Sequence, residues 1–236
     1  MPGPPVGVAQ GMTIFFGFHM PNYTFPGVPE EDLFGRVVQN AKAAEAAGFD
    51  LFTLMDHSYQ IRGIGPETDP MLEPYTTLAA LATPTSQVKL ATLVSGVTYR
   101  IPAHLAKTVT TLDVISKGRA VLGIGAAWNE AEHRGYGFEF PPIGERMDRL
   151  DEALTIIKLM FTTERPSFEG KHYRIEEALN SPRPIQPGGP KILIGGSGEK
   201  RTLRLLARHG DMRTLVWSKP RRDQAEEGDL RAALRG

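Results

Sequence analysis

The sequence predicts an α/β fold built on parallel strands, and two observations carry that expectation. Short apolar runs of strand length alternate with amphipathic helical segments, and nearly every run is apolar throughout instead of alternating with polar residues. The runs lie at 12–18, 50–55, 88–94, 119–125, 191–195 and 214–217. Repeated strand–helix–strand order implies parallel strands joined by right-handed crossovers. Strands apolar on both faces are those covered on both faces. A (β/α) barrel and a doubly wound sheet both satisfy this pattern.

Each helix has its own signals. Residues 32–47 place Leu33, Val37, Ala41 and Ala44 at helical spacing, with acidic residues in the first turn and Gly48 as a stop. Pro74 suits the first position of a helix that ends near Thr83, ahead of Pro84. Pro102 opens the next, which turns Leu105, Val109 and Leu112 inward before the stop at 116–118. From Arg146, the series Met147, Leu150, Leu154, Ile157 and Phe161 forms one apolar face. Arg201 to His209 forms the last, stopped by Gly210. Residues 163–190 are polar and proline-rich, with FEGKHYRI at 168–175 reading as a small hairpin inside an insertion. Residues 1–11, rich in Pro and Gly, read as a loose leader.

Composition narrows the function. The 27 basic and 27 acidic residues cancel, which argues against nucleic acid, whose phosphates demand a clustered basic excess. No stretch approaches the roughly 20 apolar residues of a membrane span, and the start lacks the order of a signal peptide. A cytoplasmic enzyme acting on small molecules is the expectation. Without cysteine there is no thiol nucleophile, and the six histidines show no HExxH pairing, so no metal site is expected. No GxSxG elbow provides an acyl-transfer serine.

In either architecture ligands bind beyond the carboxyl ends of the strands. The second strand runs into Asp56-His57, which can hold an imidazole at a site's mouth or cap a neighbouring helix. The third ends in Thr92-Leu93-Val94-Ser95-Gly96, a bulge beneath a flat ring or an ordinary buried strand end. The fourth ends in Gly123-Ile124-Gly125-Ala126-Ala127-Trp128. Trp128 stands where a dinucleotide fingerprint has its third small residue, so the glycines say only that backbone comes close to a ligand or another strand. The run Asn129 to His133 supplies polar contacts or caps a short helix. The fifth leads into Gly195-Gly196-Ser197-Gly198 and then a helix, an anion site by its free amides, with Ser197 and Arg201 as supplements. His104 and His172 read as structural or exposed.

Taken together, the segments at 44–57, 92–140, 144–161 and 192–211 resemble the luciferase-like monooxygenase superfamily, and in particular its branch that uses the deazaflavin coenzyme F420. The resemblance runs from about residue 12 to 212 and implies a TIM-type (β/α) barrel with the cofactor across the strand ends. It places a non-prolyl cis peptide at Thr92-Leu93, bulging against the deazaflavin. It assigns the phosphate to the turn of Gly195, Gly196, Ser197 and Gly198. Gly125, Ala126 and Trp128 would flank the ring or its side chain, with Asp56 beside them. His57 matches the family histidine near the reactive ring carbon and is the candidate catalytic residue.

Two departures shape the expectation. Sugar-phosphate dehydrogenases of the branch carry a glutamate where Ala126 stands, and alanine cannot act as an acid, so that substrate class is not carried over. Only about six of eight strands are counted, and 218–236 reads as an irregular tail, so the barrel is expected to be incomplete at its C-terminus. The implied activity is hydride transfer between F420 and a small organic substrate, with room for a homodimer. The alternatives are an FMN-dependent monooxygenase acting with oxygen and a truncated barrel without activity.

Overall fold

The computed structural model describes residues 14–198 and 200–214. Six parallel strands form its sheet: β1 (Gly17–Met20), β2 (Leu51–Leu54), β3 (Lys89–Thr92), β5 (Ala120–Gly125), β8 (Lys191–Ile194) and β9 (Met212–Arg213). A short β4 (Ser95–Gly96) continues the line of β3 and also pairs with β5. Between them run α1 (Leu33–Ala46), α2 (Pro74–Leu81), α3 (Pro102–Ile115), α4 (Glu130–Tyr136), α5 (Ile143–Thr162) and α6 (Arg201–His209). The hairpin expected at 168–175 is present as β6 (Phe168–Glu169) and β7 (Arg174–Ile175).

Strand order decides between the two architectures. Each strand adds to the same side of its predecessor, β1-β2-β3-β5-β8-β9, with no reversal. A doubly wound sheet reverses at a switch point and carries helices on both faces. Here Val37, Leu78, Leu105, Leu154 and Leu205, from five helices, all join one apolar cluster with Phe52, Leu90, Leu122 and Ile192 of the strands. The alternate strand positions, Leu51, Ala91, Val121 and Leu193, form a separate small cluster on the other face. These five helices, α1, α2, α3, α5 and α6, therefore cover one face and the sheet curves around the other, as in a (β/α) barrel. Among the described residues β1 and β9 are not paired to each other, so the barrel is open there.

Several boundaries differ from the expectation. Among the described residues the first ladder begins at Gly17; Met12 and Thr13, the start of the predicted run, lie outside them, as do the leader at 1–11 and the tail at 218–236. The last strand pairs at Met212 and Arg213, two residues before the predicted run, of which 215–217 lies outside the described residues. Helix α5 starts three residues before Arg146. The insertion at 163–190 is fastened to the barrel by buried polar groups. Asp113 of α3 accepts the Ile185 and Gln186 amides at 2.7 and 3.1 Å, and Asn180 donates to Thr110 at 2.9 Å.

The third strand is where the sheet is most constrained. Its ladder with β5 pairs Ala91 with Val121, then resumes with Ser95 opposite Ile124. Four residues on one side therefore span three on the other, which is a bulge of one residue. The displaced Thr92 carbonyl occupies the space above Gly123, where a Cβ would stand 1.9 Å from that oxygen. Gly123→Ala is expected to cost about 3 kcal/mol or more, because backbone must move to admit the methyl. Gly35→Ala, on an exposed turn of α1 where a Cβ meets nothing within 4 Å, should instead stabilise by about 1 kcal/mol. Urea unfolding of both variants checks the contrast.

Candidate active site

At the carboxyl ends of β2, β3, β5 and β8 lies a cleft of about 670 Å³. Asp56, His57, Leu93, Gly125, Ala126, Trp128, Gly195, Gly196, Ser197 and Gly198 all line it. Thr92 does not: it is fully buried in the strand, where its hydroxyl donates to the Gly123 carbonyl at 3.1 Å. With that proton committed, the Thr92 oxygen accepts from Ser95 at 2.9 Å, and Ser95 accepts from Tyr75 at 2.8 Å. Burial pushes the Tyr75 phenol up to about 12, so this chain of hydroxyls stays protonated through neutral pH. Thr92 thus stands behind the cleft lining, where it holds the bulge from the strand side.

The cis peptide is present one residue later than the resemblance implied, at Leu93-Val94 instead of Thr92-Leu93. The reason is the neighbouring strand. Thr92 is still in register with Leu54, and the Leu93 amide still donates to the Leu54 carbonyl at 2.8 Å. The chain leaves the ladder only after Leu93, which brings Leu93 and Val94 to the cleft floor. The glycines around them serve that displacement. A Cβ on Gly195 would lie 2.5 Å from Val94, and one on Gly125 would lie 3.0 Å from it. The close approach that the glycine pattern demanded is therefore made by protein, the Val94 side chain and the Thr92 carbonyl.

His57 is held by a carboxylate 75 positions away. Its Nδ1 lies 2.7 Å from Oε2 of Glu132, a completely buried residue of α4. The same carboxylate accepts the Ser58 amide, the Tyr99 hydroxyl at 2.9 Å and the Asn129 side-chain amide at 3.3 Å. Burial alone would raise the Glu132 carboxyl, but the bonds from His57, Ser58 and Tyr99 outweigh it and hold it below the usual range. An ionised Glu132 can only accept, so Nδ1 carries the proton toward it and Nε2 is the nitrogen left for the cleft. The Trp128 ring meets His57 edge-on with centroids 5.5 Å apart, and 60% of that residue is exposed.

Beside this pair, Arg100 clamps Asp56 with both nitrogens at 2.6 and 3.0 Å and reaches Glu73 at 2.9 Å. Asp56 therefore fixes the end of β2 instead of presenting a free carboxylate, although it borders the cleft. Ala127 adopts a left-handed φ of 60°, and Arg146 of α5 holds that turn by donating to the Ala126 and Ala127 carbonyls. At the far end, Gly196 has φ 128° and begins the turn into α6, where Ser197 is exposed and Lys200 and Arg201 line the cleft. Arg201 is tied to the Gly144 carbonyl and to Asp148. Of the other histidines, His133 is a core residue, bonded by Thr98 at 2.6 Å and by its own helix at Asn129.

The sequence pointed to His57, the bulge and the glycine turn, and missed Glu132, Tyr99, Arg100 and Arg146 as partners. Their signal was weak. Glu132 stands in a polar run after the fourth strand, and only the packing of α4 onto the end of β2 gives it a partner.

The profile of the luciferase-like monooxygenase family matches residues 13–235. The chain belongs to that family. An uncharacterized protein of Mycobacterium tuberculosis is 30% identical over 184 residues, 72% of this chain and 64% of its own length. An F420-dependent glucose-6-phosphate dehydrogenase of Kineococcus radiotolerans is 36% identical over 167 residues, 70% of this chain and 48% of its own. Among solved structures, the monooxygenase RslO1 from Streptomyces bottropensis superposes with a TM-score of 0.78 at 25% identity, covering 94% of this chain and 66% of that one. The chain thus spans about half to just under two thirds of the length of the curated relatives it matches, 48% and 64% for these two. Among the described residues no group of three or more acidic or histidine side chains is placed to hold a metal ion, and no helix is long and apolar enough to cross a membrane.

The Glu132 anchor gives a pH-dependent prediction. Because its folded carboxyl lies below the unfolded value near 4.3, its stabilisation is complete above that value and fades as acid lowers the pH through the folded one. Glu132→Gln should cost about 1–3 kcal/mol at pH 7, and the gap to wild type should narrow below about pH 4. Denaturant unfolding at the two pH values measures it.

Proposed function

We propose that this family member is an oxidoreductase that uses coenzyme F420 to transfer a hydride to or from a small organic substrate. The single observation that carries the reading is a histidine locked by a buried carboxylate at the rim of a cleft floored by a bulged strand. The relative from Kineococcus radiotolerans, named as F420-dependent, supports the choice of coenzyme. The residues present suit such a group. Leu93, Val94, Gly125 and Ala126 offer an apolar lining to a ring, and the turn at 196–198, ahead of α6, offers backbone amides to a phosphate, the Gly195 amide being bonded to the Ile124 carbonyl.

When bound, F420 would supply the two-electron hydride chemistry. The chain's own residues supply everything around it. Leu93 and Val94 would support the ring, and Ala126 and Trp128 would flank it. Gly195, Gly196, Ser197 and Gly198 form the phosphate turn, with Lys200 adding positive charge. Asp56, clamped by Arg100, keeps the His57 loop in place. His57 Nε2 would take a proton from, or return one to, a substrate oxygen. Glu132 keeps Nδ1–H pointed inward, so the imidazole serves the cleft through one nitrogen only.

Two measurements test this. Fluorescence titration of the purified chain should show F420 binding, with FMN much weaker; tight FMN binding without F420 binding overturns the reading in favour of a flavin monooxygenase. His57→Ala should leave F420 affinity within about threefold while lowering kcat by about 10²–10⁴-fold, the usual worth of a positioned acid–base group. Unchanged turnover removes His57 from the mechanism.

A further inference from the structure

Resting on the F420 reading, we infer that the turn after β5 is an anion-receiving site. The backbone amides of Ala127 and Trp128, backed by the buried guanidinium of Arg146, receive a delocalised negative charge, which in the bound coenzyme is the ionised deazaflavin ring.

Arg146 stands behind the cleft wall. It is 8% exposed, and its guanidinium lies 4.1 Å from the centre of the Phe140 ring. Nε donates to the Pro141 carbonyl at 2.9 Å, and Nη1 donates to the carbonyls of both Ala126 and Ala127. Among the described residues no carboxylate lies within ion-pair distance of it. Arg100, by contrast, is matched by Asp56 and Glu73. A guanidinium kept from water with only carbonyls around it remains a source of positive potential for the space nearby.

The same bonds orient the wall. A trans peptide is planar, with its N–H directed opposite to its C=O. The cis bonds lie elsewhere, at Leu93-Val94 and Ser181-Pro182. With the Ala126 and Ala127 carbonyls turned to Arg146, the Ala127 and Trp128 amides point away from it. Ala126, Ala127 and Trp128 line the cleft and Arg146 does not, so that direction is the cleft side. The left-handed φ of 60° at Ala127 suits the successive amides of a backbone anion nest. Among the described residues neither amide donates to a protein acceptor. A carbonyl bonded to a guanidinium also makes the amide of its own peptide a stronger donor, because linked hydrogen bonds polarise one another.

Two amides over a buried cation suit negative charge, and their position selects which charge. Ala126 and Trp128 are the residues proposed to flank the ring, whereas the phosphate turn lies ahead of α6. The ring hydroxyl of a deazaflavin is phenol-like, and its anion spreads over the ring to the pyrimidine carbonyls. Donors fixed in place before the charge arrives hold it without reorganising. The other titratable groups of the lining are Asp56, His57, Tyr99, Lys200 and Arg201. Asp56 is paired with Arg100 and Arg201 with Asp148, and Lys200 stands at the phosphate turn. Burial and the neighbouring Glu132 raise the Tyr99 phenol, so it stays neutral. Behind the wall Glu132 is held by its own donors, and Glu130 only partly offsets the effect of burial on Arg146.

The test is an absorbance titration of oxidised F420, free and bound to the full chain, across the ionisation of its ring. The bound ring should ionise about one pH unit lower than the free one, a roughly tenfold preference for the anion. Arg146→Gln, which can still bond a carbonyl but carries no charge, should bring the midpoint back to within about 0.3 unit of the free coenzyme. Arg146→Lys, which keeps a cation behind the turn, should retain the larger part of the shift. Arg149→Met removes a cation about one turn along α5 and should leave the midpoint within about 0.2 unit of wild type. An unmoved midpoint in the wild type overturns the inference, whether or not any variant folds. So does a full shift in Arg146→Gln, or an equal loss in Arg149→Met. Failure of F420 to bind the wild type overturns instead the reading on which the inference rests.

Discussion

The Thr92 carbonyl, pushed one residue out of the ladder and seated over the bare Cα of Gly123, is the contact on which the rest of this molecule depends. A bulge in a buried parallel strand leaves backbone groups that need new partners and space that must be free of side chains. Three glycines on two neighbouring strands provide the space, and the Tyr75–Ser95–Thr92 hydroxyl chain provides the partners. The consequence is felt at the top of the barrel. Leu93 and Val94 are lifted into the cleft, and Val94 in turn fills the room left by Gly125 and Gly195. The floor of the site and the packing of β3, β5 and β8 are therefore one arrangement, and neither can be altered without the other.

A second constraint fixes the chemistry above that floor. Glu132 is buried without a cation of its own, yet it holds four donors from three separate segments. A buried carboxylate left unpartnered would be expensive. Satisfied in this way, it ties α4 to the end of β2 and to Tyr99, so the imidazole and the helix hold each other. The Asp56–Arg100–Glu73 cluster joins the residue just before His57 and the loop after β4 to the N-cap of α2. Rigid support on both sides leaves the histidine one nitrogen with which to act.

These two constraints also polarise the cleft. Glu132 and the Arg100-paired Asp56 gather acidic groups at the His57 end, while the turn into α6 brings Lys200 and an Arg201 paired with Asp148 to the other.

Read alone, the residues carry the order of strands and helices, because apolar runs and helical spacing are local properties. They also carry His57 at a strand end and the glycine turn before α6, since a strand terminus and a glycine run are visible without knowing the neighbours. Barrel and doubly wound sheet stay equivalent at that level; only the strand order, with helices on one face, separates them. The Gly123-Ile124-Gly125 pattern says that something approaches closely, but whether ligand or protein depends on strands brought alongside by crossovers. Thr92 looks like a site residue because it ends an apolar run, and its pairing with Leu54 turns it inward and moves the cis peptide to Leu93-Val94. Glu132 is the clearest case. In sequence it is one acid among several in a polar run, and its meaning appears only when folding brings α4 against His57 and removes its carboxylate from water. Local pattern determined the elements and their order, and long-range packing decided what each strand end is for, because burial and pairing are properties of neighbours.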